Sequence, residues 1–136
     1  MHSKKQLTNI NLIGDLMNIV WQKTIKATLL IIILLLISTL ILNIFYYLDI
    51  ISSNTIKYFK MILSLLSFLI GGIYMGKNSP SKGYLYGLRL SLIMIVIMLI
   101  LGIIFNNINL SRILYYLIMS VCITFGSMIG INKKIL

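Results

Sequence analysis

Four long apolar runs, separated by short polar segments, dominate the chain. They cover about residues 27–48, 56–76, 84–105 and 113–131. At a helical rise of about 1.5 Å per residue, each run is long enough to cross a hydrocarbon core of about 30 Å. The second run is the weakest because Lys57 and Lys60 lie in its first turn, but both side chains can extend to the headgroups. The pattern predicts an all-α protein, a four-helix transmembrane bundle.

The segments between the runs are short, at residues 49–55, 77–83 and 106–112. The middle one holds the only proline, Pro80, between serines and before Gly83, which is typical of a turn. Connections this short force neighbouring helices into antiparallel hairpins. We therefore expect residues 23–136 to form one membrane domain, preceded by an N-terminal segment at residues 1–22.

The N-terminal segment has an amphipathic pattern at helical spacing. Its apolar face comprises Ile10, Ile13, Met17, Val20 and Trp21. The largely opposite face comprises Asn11, Asp15, Asn18 and Gln22. One interpretation is a short separate helix lying in the cytoplasmic interface, with Trp21 at headgroup depth. The other is an extension of the first membrane helix into the cytoplasm, and the pattern fits both equally.

Composition agrees with a membrane location. The chain is 60% hydrophobic and only 10% charged, with a mean hydropathy of +1.04. A soluble domain carries roughly a quarter charged residues. Twelve basic residues against two acidic ones could indicate nucleic-acid binding, but they lie at the edges of the apolar runs. That distribution indicates contact with lipid headgroups and no nucleic-acid partner.

The basic residues also predict the orientation. Lys4, Lys5, Lys23, Lys26, Lys77, Lys82, Arg89, Lys133 and Lys134 fall on one side, and Lys57, Lys60 and Arg112 on the other. By the positive-inside rule, both termini and the middle loop lie in the cytoplasm. The abundance of Lys, Ile and Asn is typical of an AT-rich bacterial genome, so the predicted location is the bacterial cell membrane.

Glycines recur at a spacing of four near the predicted cytoplasmic ends of the last three runs. The pairs are Gly72 and Gly76, Gly83 and Gly87, and Gly126 and Gly130. Glycine lets helix backbones approach closely in lipid, where no hydrophobic force drives association. The simpler interpretation is packing among these helices within one chain. The functional one is a homo-oligomer interface or a docking surface for a larger membrane complex.

The motifs around these glycines resemble a known family. The stretches 71–77, Gly-Gly-Ile-Tyr-Met-Gly-Lys, and 82–88, Lys-Gly-Tyr-Leu-Tyr-Gly-Leu, are similar to the YrzE-like family of small four-span membrane proteins of Gram-positive bacteria. The closing stretch 126–134 resembles the same family's C-terminal signature. The residue before the second glycine is often histidine in that family but is Tyr86 here, so no role for an imidazole is implied. The resemblance implies the four-span architecture and no known activity.

Reactive groups are scarce and scattered. The chain has His2, Cys122, Asp15 and Asp49, none near another in sequence. Catalysis needs a nucleophile with a base or paired carboxylates, and metal sites need clustered ligands. The sequence therefore predicts no enzyme, no cofactor and no metal. Within the runs, Asn43 can hydrogen-bond a neighbouring helix.

Arg89 is the one charged residue well inside a run, about 9 Å from its start at Gly83. It either extends to the cytoplasmic headgroups or contacts an anion or lipid phosphate at the glycine-lined face. With Lys77 and Lys82 it forms a predicted cytoplasmic basic patch. The favoured hypothesis is a non-catalytic accessory or scaffolding membrane protein that acts through helix packing. The alternative is a transporter or channel subunit for an anionic or lipid-like solute.

Overall fold

The computed structural model describes residues 2–80 and 82–135. Ser81, in the predicted middle turn, lies outside the described residues, and so do the side chains of His2, Lys134 and Ile135. The described chain forms four α-helices: α1 (His2–Tyr47), α2 (Ser53–Lys77), α3 (Gly83–Ile104) and α4 (Leu110–Ile135). Each is long and apolar enough to cross a membrane. The predicted all-α architecture of four membrane helices is confirmed.

The four helices contain the four predicted apolar runs to within one residue at either end. Their lengths differ greatly. Helices α2, α3 and α4 have 25, 22 and 26 residues, whereas α1 has 46. At about 1.5 Å per residue, α1 is about 70 Å long, roughly twice the length that a membrane span needs.

The extra length of α1 lies at its N-terminus. The helix continues without a break from His2 into the membrane run, so the segment 1–22 is not a separate helix where the structure describes it. Of the two interpretations of its amphipathic pattern, the structure shows the extension of the first membrane helix. Every side chain from residue 3 to residue 19 is exposed.

Helices α1 and α3 end in the same way. After α1, Asp49 adopts a left-handed φ of 54°, and the N–H of Ile50 donates to the carbonyl oxygen of Phe45 at 3.2 Å. After α3, Asn106 adopts a φ of 47° within the same pattern of hydrogen bonds. Asp and Asn tolerate this conformation better than other non-glycine residues, and it satisfies carbonyl groups that the helix leaves free.

The helices pack as two layers: α2, α3 and α4 form one layer, and α1 lies against it. Helix α4 lies against both α2 and α3, with the most extensive contact to α2. Helix α1 packs along α2 and touches α3 only slightly, and it has no contact with α4 among the described residues. The ends of α2 and α4 and the start of α3 meet at one end of the bundle. We call this the basic end, because Lys77, Lys82 and Lys133 lie there, exposed.

A small hydrophobic core joins α1 to the other three helices. Helices α2, α3 and α4 supply most of its buried side chains, and α1 supplies Ala27 and Ile31. The full set is Ala27, Ile31, Phe68, Met75, Leu90, Met94, Met119 and Ile123. Most other large apolar side chains are exposed, which is normal where lipid is the solvent.

Candidate functional site

Four of the six predicted packing glycines lie at the contact of α2 with α4. On α2, Gly72 and Gly76 face α4, and on α4, Gly126 and Gly130 face α2. A Cβ atom on any of the four would overlap a backbone carbonyl group of the opposite helix. The carbonyl groups belong to Ile123 and Ser127 of α4 and to Leu69 and Ile73 of α2. The two backbones therefore touch, and only glycine fits between them.

The other two glycines bring α3 against α4 around one serine. A Cβ on Gly83 would lie 2.8 Å from the carbonyl oxygen of Ser127, and one on Gly87 would lie 2.8 Å from the Ser127 Cβ. Ser127 is fully buried, and its hydroxyl donates to the carbonyl oxygen of Gly83 at 2.5 Å. That carbonyl is in the first turn of α3, so Ser127 ties the start of α3 to the C-terminal half of α4.

The six glycines are thus all buried in contacts within one chain. Each glycine faces another helix of the same molecule, which favours the simpler interpretation of packing within one chain over a homo-oligomer interface or a docking surface. The spacing of the glycines predicts that another backbone approaches closely. It does not indicate which helix that backbone belongs to.

Hydroxyl groups supply further links inside the bundle. Ser64 of α2 and Tyr115 of α4 share a short hydrogen bond. Ser120 of α4 donates to Ser91 of α3 at 3.2 Å. No buried side-chain nitrogen or oxygen atom of the described residues lacks a hydrogen-bond partner. These hydroxyl groups are therefore occupied by helix packing.

The predicted basic patch is divided between two surfaces. Lys77 and Lys82 are exposed at the basic end. Arg89 is half-buried and points towards α1, where its guanidinium carbon lies 4.6 Å from the centre of the Trp21 ring. Gly83 and Gly87 face α4, so Arg89 is not on the glycine-lined face that one of the two sequence interpretations assigned to it. It lies on the other side of α3.

A second link between α1 and the bundle was not predicted. The ammonium group of Lys23 donates to the carbonyl oxygen of Asn78 at 2.7 Å. Asn78 follows the last residue of α2, so the cation lies where the helix dipole is negative and carbonyl groups lack helical partners. The sequence predicted that Lys23 and Trp21 lie near the start of the first membrane run, but not which face of α1 each occupies.

Between α1 and α3 a groove remains open, because these helices hardly contact each other. The Trp21–Arg89 pair bridges it and separates two recesses. One, of about 260 Å³, is lined by Arg89 and Tyr86 of α3 and by α1 residues that include Ile13 and Met17. The other, of about 270 Å³ and almost entirely apolar, extends from Trp21 towards Ile97.

Other predicted residues have no site around them. Asn43 is exposed, and the described residues include no hydrogen-bond partner for it. Cys122 is a free, half-buried thiol in α4. No group of three His, Cys, Asp or Glu side chains that could hold a metal ion occurs within residues 2–80 and 82–135.

Four apolar membrane-length helices with glycine-packed backbones define a multi-pass integral membrane protein. Residues 20–131 match a family described as protein of unknown function, DUF3792, and the chain belongs to this family. The match covers all four membrane runs and begins after the exposed N-terminal part of α1. No curated protein and no solved structure matches the chain.

Proposed function

We propose that this protein is a non-catalytic accessory component of a membrane complex and that it docks its partner along the N-terminal extension of α1. One observation carries the proposal. The face of α1 that packs on the bundle through Val20, Thr24 and Ala27 continues towards the N-terminus as Ile13 and Met17, which are 58% and 53% exposed at the edge of the bundle. The spacing of three and four residues along this face is typical of helices that pair with another helix.

Charge indicates the chemistry of the partner. The extension starts with Lys4 and Lys5, and it projects from the basic end of the bundle. The whole chain has a net charge of +10. Two copies aligned in one membrane would place these basic groups side by side, which disfavours the homo-oligomer. The favoured partner is therefore a different membrane protein with a helix that is apolar on one face and acidic along its flanks.

The proposed setting is the cell membrane of a Gram-positive bacterium, with both termini in the cytoplasm. It rests on the resemblance to the YrzE-like family and on the excess of basic residues at one side. A non-catalytic role is favoured because the chain holds only one histidine, one cysteine and two acidic residues. The proposed docking surface, at residues 3–19, lies outside the family match, so the partner would be particular to this chain.

Transport of an anionic or lipid-like solute is the weaker alternative. It requires Arg89 and the small polar residues to line one path. Ser91 and Ser120 instead hydrogen-bond each other between α3 and α4, while Arg89 lies on the opposite side of α3. This separation is why we favour the accessory role.

The test is a mild-detergent purification of a C-terminally tagged protein from its native membrane, with mass spectrometry of co-purified proteins. A double variant, Ile13→Glu with Met17→Glu, places charges on the proposed docking face. Its matched control, Asn11→Glu with Asn18→Glu, adds the same charges to the opposite face of the same helix.

The proposal expects a stoichiometric membrane partner with wild type and with the control, and about a tenfold or greater loss with the double variant, since charges oppose apolar contact. Equal recovery with all three proteins would show that the extension is not the docking surface. Recovery of the chain alone or only with itself would refute the accessory role. Resistance of the tag to protease added to intact cells is expected from the proposed orientation.

A further inference from the structure

The groove between α1 and α3 combines one cationic group with apolar walls. At its middle, the guanidinium group of Arg89 lies over the face of the Trp21 ring, with 4.6 Å between the guanidinium carbon and the ring centre. This contact covers one face of the planar guanidinium group. It leaves the N–H groups at the edge available, and these are the groups that hydrogen-bond phosphate oxygens in pairs.

The charge of Arg89 has no anionic partner within the described residues. Arg89 makes no ion pair and no hydrogen bond with these residues. Its charge interacts with them through the cation–π contact with the Trp21 ring. The chain has only two acidic residues. Asp49 follows α1 at the end of the bundle opposite the basic end, and Asp15 is exposed on the polar face of the α1 extension. A half-buried cation without a counter-ion attracts an anion to this groove.

The walls indicate what kind of anion fits. On the membrane side of the Trp21–Arg89 pair, Ile25 and Leu29 of α1 face Ile93 and Ile97 of α3 across a recess of about 270 Å³. On the side of the basic end, Tyr86 and Arg89 line the recess of about 260 Å³ together with apolar residues of α1. The groove is apolar at membrane depth and cationic at headgroup depth, and a phospholipid has the complementary arrangement.

We propose that one anionic phospholipid, from the leaflet that meets the basic end, binds in this groove. Its phosphate hydrogen-bonds the edge of the Arg89 guanidinium group, and an acyl chain fills the recess between α1 and α3. The headgroup lies beside Tyr86 and the N-terminal extension of α1. This site requires no partner protein and so does not rest on the proposed accessory role, but its recess at the basic end shares Ile13 and Met17 with the proposed docking face.

Trp21 provides the probe, because it is the only tryptophan in the chain. Bromine atoms on an acyl chain quench tryptophan fluorescence at short range. The purified protein is reconstituted in phosphatidylcholine vesicles that contain increasing fractions of brominated phosphatidylglycerol or, separately, brominated phosphatidylcholine. For wild type we expect half-maximal quenching at about fivefold less phosphatidylglycerol than phosphatidylcholine, from one Arg–phosphate contact near the surface.

The variant Arg89→Gln is expected to remove this preference, so that the two lipids quench at equal fractions. Arg112→Gln is the matched control, because it removes the same charge at the far end of the bundle and is expected to keep the preference. Comparing two lipids within each variant cancels any change in Trp21 emission that the substitution causes directly. The labelling rate of Cys122, the only cysteine, verifies that each variant is folded.

Two outcomes would overturn the proposal. Equal quenching by the two lipids in wild type would refute it without any variant. A preference that persists in folded Arg89→Gln would show that the basic residues attract anionic lipid in general, with no specific site at Arg89. A preference lost in Arg89→Gln and kept in Arg112→Gln supports the site.

Discussion

Helices α2, α3 and α4 associate differently from α1. The three inner helices meet backbone to backbone, since glycines on each of them face carbonyl groups or small side chains of a neighbour. Helix α1 packs along α2 through side chains, among them Ile31 against Gly71 and Lys23 on the end of α2, and it reaches α3 mainly through Trp21 over Arg89. In lipid, close approach gives extensive van der Waals contact, whereas scattered side-chain contacts leave grooves that lipid can enter.

The two regions therefore differ in how well they tolerate substitutions. The inner contacts have no space for a single methyl group, so they fix the positions of three helices. The outer contacts can be lost one at a time without exposing backbone polar groups, because α1 satisfies its own hydrogen bonds. The chain carries a native reporter in each region, Cys122 in α4 and Trp21 in α1.

The largest effect is expected from Gly76→Ala. Its Cβ would overlap the carbonyl group of Ser127, and backbone cannot move aside as a side chain can. We expect the free energy of unfolding to fall by about 3 kcal/mol or more, at the upper end of the costs of overpacking. Titration with SDS, followed by maleimide labelling of Cys122, measures the loss.

The matched control for Gly76→Ala is Gly14→Ala, where a Cβ would meet no atom within 4 Å. That change removes a glycine from an exposed helix interior and is expected to be neutral or to stabilise the helix by about 0.5–1 kcal/mol. Equal labelling of Cys122 in wild type and Gly76→Ala would refute the backbone contact between α2 and α4.

A smaller effect is expected from Ile31→Ala at the contact of α1 with Gly71. The buried side chain fills the space above the glycine, and its loss leaves a cavity. We expect a cost of about 1–2 kcal/mol, below that in a water-soluble core because the lost burial is exchanged for lipid. The measurement is Trp21 fluorescence anisotropy during SDS titration, which should fall before Cys122 becomes reactive.

The control for Ile31→Ala is Ile33→Ala, which shortens a side chain that is 53% exposed and should leave the anisotropy transition in place. If Trp21 and Cys122 report one simultaneous transition in Ile31→Ala, then α1 and the inner helices form a single cooperative unit. The distinction between the two regions would then have no energetic meaning.

The smallest effect is expected from Lys23→Met, which removes the hydrogen bond to the Asn78 carbonyl oxygen at 2.7 Å. A cost of about 1 kcal/mol follows from losing one partly exposed hydrogen bond. Trp21 anisotropy should decrease while Cys122 labelling stays at the wild-type rate. Lys26→Met, which removes an exposed charge one turn away, should change neither quantity, and an equal effect of both variants would exclude the specific bond.

Hydropathy predicted the number of helices and the apolar run within each, including the weaker second one with Lys57 and Lys60, but not that α1 begins at His2. It did so because backbone polar groups in lipid must be satisfied within each helix, so a long apolar run has one stable structure. The glycine spacing correctly indicated close packing near one end of three helices. It was compatible with a partner in the same chain or in another chain.

The arrangement around Arg89 is a feature that the sequence could not predict. For Trp21 and for Arg89, one interpretation of the sequence was contact with the headgroup region, which both residue types favour, but the sequence did not pair the two side chains. Which side of α3 carries Arg89 depends on how that helix is rotated, and the rotation is fixed by Gly83 and Gly87 against Ser127.

The sequence by itself determined that this is a membrane protein with four apolar helices and where the apolar run of each helix lies. These properties follow from the transfer of each residue between water and lipid, which depends only on the residue and its neighbours along the helix. Only the tertiary structure decided that the glycines are internal, that α1 extends beyond the bundle, and that a groove opens beside Arg89. Such pairings depend on the mutual rotation of helices, which shape complementarity between distant segments decides and local hydropathy does not.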